Sequence, residues 1–344
     1  MNHEYYIKRC LEISKKGIGT TRPNPSVGAV LVVDDKIVGE GFTSPYGGNH
    51  AEVNAISSIK NNEDLQKATM YVTLEPCSHF GKTPPCADLI VKSGIKKVVI
   101  GCVDVNEIVA GRGVERLRNA GCEVVVGVLE NECKAHHKRF FTFHSKKRPY
   151  IILKWAQTQN GYIAPKERVK QAPVWITKKT SRQLVHKWRS EEHSILVGTT
   201  TVLHDNPSLN VRSWKGKNPL RIVIDKDLRI PKDLKVYDGS VKTIFINQKV
   251  TSRNDNLYFE KINFSSPIAY QICEILYKHK VQSLIVEGGG KTIQTFIDES
   301  LWDEARVFTG TMLFQTGIKA PRLDVPFLHE ENLIGDSLKT YVND

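Results

Sequence analysis

The sequence predicts an α/β protein built from two domains. Short apolar strands and amphipathic helices alternate through the first half of the chain, a pattern typical of parallel crossover units. The 344 residues exceed what one hydrophobic core usually fills. A polar segment that ends in a proline, 145–149, separates the two halves. We therefore expect a first domain at 1–144 and a second domain at 150–344.

The composition is that of an ordinary globular protein, with 40% hydrophobic and 25% charged residues. The sequence has no run of eighteen apolar residues and no apolar signal core near residue 1, so we expect neither a membrane span nor secretion. The seven cysteines are odd in number and scattered, which fits a reducing compartment. We therefore expect a cytoplasmic protein.

The net charge of +12 would attract either a nucleic acid or a small phosphorylated substrate. The basic residues form only short clusters, at 146–148 and 178–179, beside polar positions. Such clusters are typical of solvated surface rather than of a nucleic-acid footprint. We therefore expect no nucleic-acid partner.

The first half is predicted to fold as a mixed sheet with helices on both faces. Helical spacing and glycine caps place helices at 3–16, 51–60, 86–94, 114–120 and 128–143. Apolar runs place strands at 29–33, 36–41, 70–74, 97–101 and 123–127. The last helix carries His136 and His137, which we expect on the surface rather than in a second metal site.

A three-ligand zinc site is predicted around His50. Cys77 follows a strand within a Glu-Pro-Cys motif, and Cys86 comes nine residues later. One histidine and two cysteines leave the fourth tetrahedral position open for water, which is typical of catalytic rather than structural zinc. His50 and Cys86 each begin a helix, where the helix dipole stabilises a thiolate or a hydroxide. Glu52 lies two residues past the histidine, as the proton-shuttling glutamate does in zinc deaminases.

The segment between the two cysteines distinguishes among zinc deaminases. Nucleic-acid and cytidine deaminases usually close the site with Cys-x-x-Cys, whereas eight residues, 78–85, separate the ligands here. With this loop, the sequence resembles the family of bifunctional riboflavin-biosynthesis deaminases/reductases over about residues 3–320. The resemblance implies a cytidine-deaminase-like three-layer α/β/α domain, a zinc-dependent pyrimidine deaminase. A dihydrofolate-reductase-like α/β domain, an NADPH-dependent reductase, would follow it.

The resemblance also implies substrate contacts in the first domain. The family places Asn24, in a Pro-Asn-Pro-Ser-Val-Gly motif, against the pyrimidine. Positions that bind the base and the ribose phosphate correspond to His79, Lys82, Asp104 and Asn106. From the residues alone, Asn24 could be a turn former, and His79 and Lys82 could face solvent. Valine and glutamate stand in the Asp104 loop where the family usually has prolines, so this loop loses two rigid residues.

The second half opens with a buried strand, 149–156, that carries Lys154 near its end. A Gly-Gly-Gly turn at 288–290 follows a strand and precedes a helix, where backbone amides suit a phosphate. A lysine at a strand end is usually solvated, and three glycines alone are weak evidence. Both features match the reductase domain of the family. Further elements are predicted as a helix at 180–189 and strands at 194–198, 221–225 and 283–287.

The resemblance assigns a role to individual residues of the second domain. Lys154 and Asp205 would act in catalysis. Two arginines suit a sugar phosphate, and the substrate positions are Arg189, Leu209, Arg212 and Glu287. The NADPH positions are Ala156, Trp175, Thr201, Asp205, Gly289, Gly290, Lys291, Thr292, Ile293, Gln294 and Thr295.

Three residues of the second domain depart from the family. Asn160 and Asn206 replace aspartates, and Pro173 stands where a substrate-binding serine is common. Losing negative charge should not impair the binding of a 2′-phosphate. A missing hydroxyl weakens substrate binding by about two- to tenfold. We therefore expect a working reductase that binds its substrate weakly and prefers NADPH to NADH.

The predicted function is a two-step reaction of riboflavin biosynthesis. The first step is hydrolytic deamination of 2,5-diamino-6-ribosylamino-4(3H)-pyrimidinone 5′-phosphate. The second step is NADPH-dependent reduction of the ribosyl to the ribityl side chain. This function requires one Zn²⁺ per chain, NADPH and a small phosphorylated pyrimidine. We also expect a homo-oligomer, a dimer or a tetramer.

Three alternatives remain open at this point. A zinc-dependent nucleic-acid deaminase with an RNA-binding second domain would fit the charge, but it needs neither the long inter-cysteine loop nor the glycine turn. A zinc-stabilised binding module would want four protein ligands, and the sequence offers three. The third alternative is a deaminase whose reductase domain is inactive.

Overall fold

The computed structural model describes residues 2–61, 63–80, 84–106, 109–167 and 170–343. The chain forms two units, Met1–Lys147 and Arg148–Asp344. Each unit has its own sheets and its own clusters of buried apolar side chains. No helix in the described ranges combines the length and the apolar character that a membrane span requires.

The first unit is built on a five-stranded mixed sheet in the order β2-β1-β3-β4-β5. β1 pairs antiparallel with β2 and β3, whereas β3, β4 and β5 run parallel. The strands are β1 Gly28–Val33, β2 Lys36–Phe42, β3 Thr69–Leu74, β4 Lys97–Cys102 and β5 Glu123–Val126. The helices are α1 His3–Ser14, α2 Ala51–Ser57, α3 Asp64–Lys67, α4 Cys86–Lys92, α5 Arg112–Asn119 and α6 Glu130–Ser145.

The predicted elements of the first unit are present, with shifted ends. α2 ends at Ser57, three residues before the predicted end. α5 begins at Arg112, two residues before the predicted start, because Gly111 takes a φ of 79° and caps the helix there. The short helix α3 was not predicted. β3 is buried along its whole length, as expected for a central strand in a sheet covered on both faces.

The second unit is built on a ten-stranded sheet in the order β11-β12-β10-β9-β8-β13-β6-β14-β17-β16, and β7 pairs with β15 in a separate two-stranded sheet. Its helices are α7 Lys179–Glu191, α8 Thr199–Asp205, α9 Ile268–Lys278 and α10 Gly290–Asp298. Its strands are β6 Tyr150–Thr158, β7 Tyr162–Pro165, β8 Ser194–Gly198, β9 Leu220–Ile224, β10 Thr243–Asn247, β11 Ser252–Asn254, β12 Leu257–Lys261, β13 Ser283–Val286, β14 Glu304–Gly310, β15 Gly317–Lys319, β16 His329–Leu333 and β17 Asp336–Val342.

The carboxyl ends of three central strands of the second unit lie side by side. Parallel pairing aligns Val286 of β13 with Leu153 of β6 and with Leu196 of β8. The segments that leave β8 and β13 therefore start next to each other, beside the end of β6. In open α/β sheets, ligands bind outside the carboxyl ends of the strands. The fold thus brings α8, the glycine turn and the strand of Lys154 to one edge.

The elements between 226 and 282 and those beyond 300 were not predicted. β10, β11, β12 and α9 fill the first of these regions, and β14 to β17 fill the second. β11 and β16 are the edge strands of the ten-stranded sheet. Their residues are mostly exposed and polar, so they lack the apolar alternation that marks a strand in the sequence.

Two candidate active sites

Three candidate zinc ligands meet in the first unit. His50 is the N-cap of α2, Cys86 is the first residue of α4, and Cys77 follows β3. The Nδ1 atom of His50 lies 3.3 Å from Sγ of Cys86 and 3.6 Å from Sγ of Cys77. Among the described residues, these three form the one group of potential ligands whose donor atoms all lie within 4.8 Å of one another. An imidazole and two thiols are a donor set of catalytic zinc, so the residues fit that ion.

Hydrogen bonds favour a thiolate at Cys77. The thiol of Cys86 and, against the effect of burial, the ring of His50 lower the pKa of Cys77 to about 4. The backbone N–H of Cys86 donates to the same sulfur at 3.3 Å. Sharing a proton with Cys77, together with burial, raises the pKa of Cys86. A bound divalent cation would hold both sulfurs as thiolates.

Glu52 lies in the first turn of α2 and is 4% exposed. Burial and, after it, the negative charge of Cys77 raise the pKa of Glu52 to about 7. A carboxyl group with a pKa near neutrality can both accept and return a proton at working pH. The position and the burial of Glu52 therefore suit a proton shuttle beside the three ligands.

The turn that carries Asn24 is held by α6. Nε2 of His136 donates to the carbonyl oxygen of Ser26 at 2.8 Å, and burial lowers the pKa of His136. Nε2 of His137 lies 3.2 Å from Oγ1 of Thr73, and His137 is buried. The expectation that both histidines lie on the surface is wrong, because one orders the Asn24 turn and the other packs against β3.

The other substrate candidates of the first unit differ in their surroundings. His79 is exposed, and Lys82 lies outside the described residues. Asp104 is buried, and burial raises its pKa to about 6. Oδ1 of Asp104 accepts the backbone N–H of Asn106 at 2.7 Å, which closes a local turn without proline. Glu75, which sequence reasoning treated only as part of the Glu-Pro-Cys motif, accepts the N–H of Asp104 at 3.2 Å.

An ion pair forms the centre of the second candidate site. Arg189 of α7 donates from Nη2 to Oε2 of Glu287 at 2.7 Å and from Nε to Oε1 at 3.2 Å. Both side chains are nearly buried. Although burial opposes it, the charges of Arg189 and Lys154 lower the pKa of Glu287 to about 2. Burial lowers the pKa of Lys154, and Glu287 opposes that change.

His186 is a member of this site that sequence reasoning missed. It precedes Arg189 by three residues on α7, so the two side chains share a helix face. Nδ1 of His186 accepts the backbone N–H of Arg212 at 3.2 Å. Burial and the charges of the two arginines lower the pKa of His186 to about 4. A neutral His186 therefore holds the backbone of Arg212 in place. In the sequence, the three-residue spacing between His186 and Arg189 on a predicted helix could have indicated that His186 belongs to this site.

The glycine turn lies at the N-terminus of α10. Gly289 is its N-cap with a φ of 68°, which favours glycine. A Cβ atom at Gly198 would lie 2.6 Å from Oγ1 of Thr292, and one at Gly289 would lie 3.5 Å from Oγ1 of Thr201. The starts of α8 and α10 therefore approach each other closely, with backbone amides available for a phosphate. This cradle fits the pyrophosphate of a dinucleotide.

The remaining cofactor candidates vary in exposure. Ile293 is buried in the core, so of its groups only the backbone could face a ligand. Oγ1 of Thr295 bonds the carbonyl oxygen of Lys291 at 3.0 Å, and Nε2 of Gln294 bonds Asp298 at 2.7 Å. Trp175 is exposed and stacks on Arg182 at 4.3 Å. Gly290 is half-buried at the start of α10, Ala156 is half-buried on β6, and Asp205 is half-buried at the end of α8. Leu209, a substrate candidate, is buried with a φ of 56°.

Comparison with known proteins decides the family. Residues 1–102 match the cytidine and deoxycytidylate deaminase zinc-binding region, and residues 149–320 match the RibD C-terminal domain. The riboflavin biosynthesis protein RibD of Aquifex aeolicus is 41% identical over 94% of this chain and 91% of its own length. That of Actinobacillus pleuropneumoniae is 48% identical over 83% of this chain and 77% of its own. The chain belongs to the RibD family.

Solved structures agree with this assignment. The crystal structure of a diaminohydroxyphosphoribosylaminopyrimidine deaminase/5-amino-6-(5-phosphoribosylamino)uracil reductase from Thermotoga maritima superposes with a TM-score of 0.90, at 38% identity over 99% of both chains. The predicted fold class, a cytidine-deaminase-like domain followed by a reductase domain, is confirmed. The prediction of a bifunctional deaminase and reductase of riboflavin biosynthesis is confirmed at the level of the RibD family. The match of the second half disfavours an RNA-binding domain.

Two of the three residues that depart from the RibD pattern, Asn160 and Asn206, make specific hydrogen bonds. Nδ2 of Asn160 donates to the carbonyl oxygen of Phe314 at 2.7 Å, a bond that an aspartate could not make. Asn206 ends α8 with a φ of 39°, a conformation that asparagine tolerates, and its Oδ1 accepts the N–H of Lys235 at 2.9 Å. Pro173 is exposed. The two asparagines thus order loops of the reductase domain.

Proposed function

We propose that this RibD family member deaminates 2,5-diamino-6-ribosylamino-4(3H)-pyrimidinone 5′-phosphate in a domain spanning 1–144 and reduces the product in a domain spanning 150–344. The observation that carries the proposal is the buried Glu52, which lies two residues past His50. His50, Cys77 and Cys86 form the only three-ligand group among the described residues. A structural zinc would require a fourth protein ligand.

Zinc bound by His50, Cys77 and Cys86 would supply a water molecule whose pKa lies near neutrality. Glu52 takes a proton from the attacking water and returns one to the departing amine, so that ammonia and a ring carbonyl result. Asn24 and Asp104, which are far apart in the sequence, would both contact the substrate. His79, Lys82 and Asn106 are proposed as further contacts with the base and the ribose phosphate.

NADPH would supply the hydride that converts the ribosyl to the ribityl chain. Lys154, whose pKa burial lowers, can exchange a proton with the sugar more readily than a solvated lysine, and Asp205 is the second proposed catalytic residue. Arg189 is occupied by Glu287 through both carboxylate oxygens. Arg212 is therefore the better candidate for the substrate phosphate, and Leu209 is proposed as a further substrate position.

The glycine cradle suits the pyrophosphate of NADPH, because it joins two helix N-termini and because a Cβ atom at Gly198 would crowd the hydroxyl of Thr292. Ala156, Trp175, Thr201 and the segment 289–295 are proposed to line the cofactor. A cytoplasmic location and a homo-oligomeric state, dimer or tetramer, are also proposed. The mass of the purified protein in light scattering tests the oligomeric state.

The decisive experiment incubates the purified protein with the phosphorylated diaminopyrimidinone, with and without NADPH, and identifies the products by mass. Without NADPH we expect the deaminated ribosyl compound and ammonia, and with NADPH the ribityl compound. Glu52→Gln supplied with the deaminated compound serves as the control, since its reductase domain is unchanged. An active deaminase that never oxidises NADPH would contradict the second step alone.

A further inference from the structure

Glu75 is a buried carboxylate with four backbone donors. Its Oε2 accepts the N–H groups of Asp104 at 3.2 Å and of Gly111 at 3.0 Å. Its Oε1 accepts the N–H groups of Gly113 at 2.8 Å and of Val114 at 3.1 Å. An ionised carboxylate offers about four lone-pair sites. All of them are used, so Glu75 has no free site for a metal or a substrate.

The four donors belong to one segment, which runs from the end of β4 into α5. Gly113 and Val114 lie in the first turn of α5, where the helix dipole favours a negative charge. Bonds between backbone amides and an ionised oxygen are roughly twice as strong as neutral ones. The carboxylate therefore fixes both ends of the loop that carries Asp104 and Asn106.

The same residue is tied to the zinc ligands. Glu75 precedes Cys77 by two positions, and its own backbone N–H donates to the carbonyl oxygen of Cys102 at 3.0 Å. A Cβ atom at Gly113 would lie 2.1 Å from the carbonyl oxygen of Pro76, so the start of α5 rests directly on the Glu-Pro-Cys segment. A shift of the loop would therefore be a shift relative to Cys77.

We propose that Glu75 is a positioning residue of the deaminase, which sets the distance between the metal-ligand segment and the loop of Asp104 and Asn106. This inference rests on the proposed function, in which that loop binds the pyrimidine substrate. Two prolines that would stiffen the loop are missing from this chain. The hydrogen bonds of Glu75 hold the described ends of this loop against the Glu-Pro-Cys segment.

The test compares Glu75→Gln with a matched control, Glu299→Gln. Glu299 also accepts two backbone amides, those of Ala269 and Tyr270, but it lies in the second unit. In Glu75→Gln, we expect the KM of deamination to rise by about tenfold with kcat within about threefold and with one zinc per chain retained. The control should leave the KM unchanged. An unchanged KM, or a loss of kcat in proportion to zinc, would overturn the positioning role.

A double-mutant cycle with Asp104→Asn separates positioning from general stability. If Glu75 acts through the loop, Asp104→Asn should raise KM much less in the Glu75→Gln background than in the unchanged protein. Additive effects would refute the inference. A wild-type chain that releases no ammonia from the phosphorylated diaminopyrimidinone would instead refute the proposed function, and the inference with it.

Hydrogen exchange of the wild-type protein covers the case in which Glu75→Gln does not fold. The amides of Asp104, Gly111, Gly113 and Val114 should exchange with similar protection, and the deaminated product should slow all four by about tenfold or more. Protection of Asp104 alone, without the three amides of the α5 start, would overturn the role of Glu75.

Discussion

The two candidate sites are assembled in different ways. In the first unit, the metal ligands and Glu52 come from two short motifs. His50, Glu52 and Cys86 lie at the starts of helices, Cys77 follows β3, and the three ligand atoms lie within 4.8 Å of one another. In the second unit, Lys154, Arg189 and Glu287 come from distant parts of the chain and interact through charge. A compact ligand set should fail completely when one member is lost. In a distributed charge network, the loss of one member should reduce activity or stability only in part.

Cys86→Ser should have the largest effect of any single change. The variant should bind no zinc and should lose deamination entirely, because three ligands are needed to hold a reactive metal. Metal analysis and ammonia release check this outcome. Cys122→Ser is the matched control, since Cys122 is a buried thiol of the same unit outside the ligand group. Undiminished ammonia release by a zinc-free Cys86→Ser protein would sink the zinc assignment.

Glu52→Gln should retain zinc and lose turnover by roughly 10²- to 10⁴-fold, since the amide keeps the shape but cannot move a proton. Stopped-time assays of ammonia at equal zinc content measure the loss. The exposed Glu115 offers the control Glu115→Gln. Turnover close to that of the unchanged protein would mean that another group carries the proton.

Glu287→Gln should destabilise the second unit by about 3–5 kcal/mol, because Arg189 is left as an uncompensated buried charge. All five tryptophans lie between 155 and 302, so their fluorescence in urea reports on this unit alone. Asp324→Asn, which breaks an exposed ion pair with Arg322, should cost less than about 1 kcal/mol. An equal loss of unfolding free energy in Glu287→Gln and Asp324→Asn would contradict the central role of the buried ion pair between Arg189 and Glu287.

Glu287→Gln should also change how the stability of the second unit depends on pH. The pKa of Glu287 lies at about 2 in the folded chain, below its ordinary value of 4.5. A carboxyl group whose pKa is lowered on folding stabilises the protein above its unfolded pKa, and this stabilisation is lost as pH falls. Between pH 4.5 and 2, the wild-type unit should lose on the order of 3 kcal/mol that Glu287→Gln does not lose. Parallel pH curves for the two proteins would refute this assignment.

Arg212→Ala should have the smallest effect of the four changes. A phosphate contact contributes mostly uniform binding, so KM for the deaminated phosphorylated compound should rise by about tenfold at constant kcat. Steady-state NADPH oxidation measures both constants, with the exposed Arg322→Ala as control. A fall in kcat at unchanged KM would place Arg212 in the chemistry instead.

Sequence reasoning found the residues that lie in contiguous motifs and missed those that act across the chain. His50, Cys77 and Cys86 could be predicted because their spacing alone specifies a zinc site. Glu75 contacts amides up to 39 residues away, and no local pattern shows which backbone groups a carboxylate will meet. His136 was predicted to lie on the surface, because two polar residues on a helix do not show that another segment packs over them.

The secondary structure shows the same difference between features with a local sequence pattern and features that depend on distant contacts. Strands with buried apolar runs, such as β3 and β13, were predicted with ends correct to within one residue. The edge strands β11 and β16 were not predicted, since exposure removes the apolar alternation on which the prediction depends. Tertiary pairing, rather than local propensity, makes these segments strands.

The apolar clusters described above each belong to a single unit, the first spanning residues 6–141 and the other two spanning 151–341. A substitution in the interior of the second unit therefore lies outside the packed cluster of the first. The departures at 160, 173 and 206 all lie in the second unit, so they leave the apolar cluster of the first unit intact.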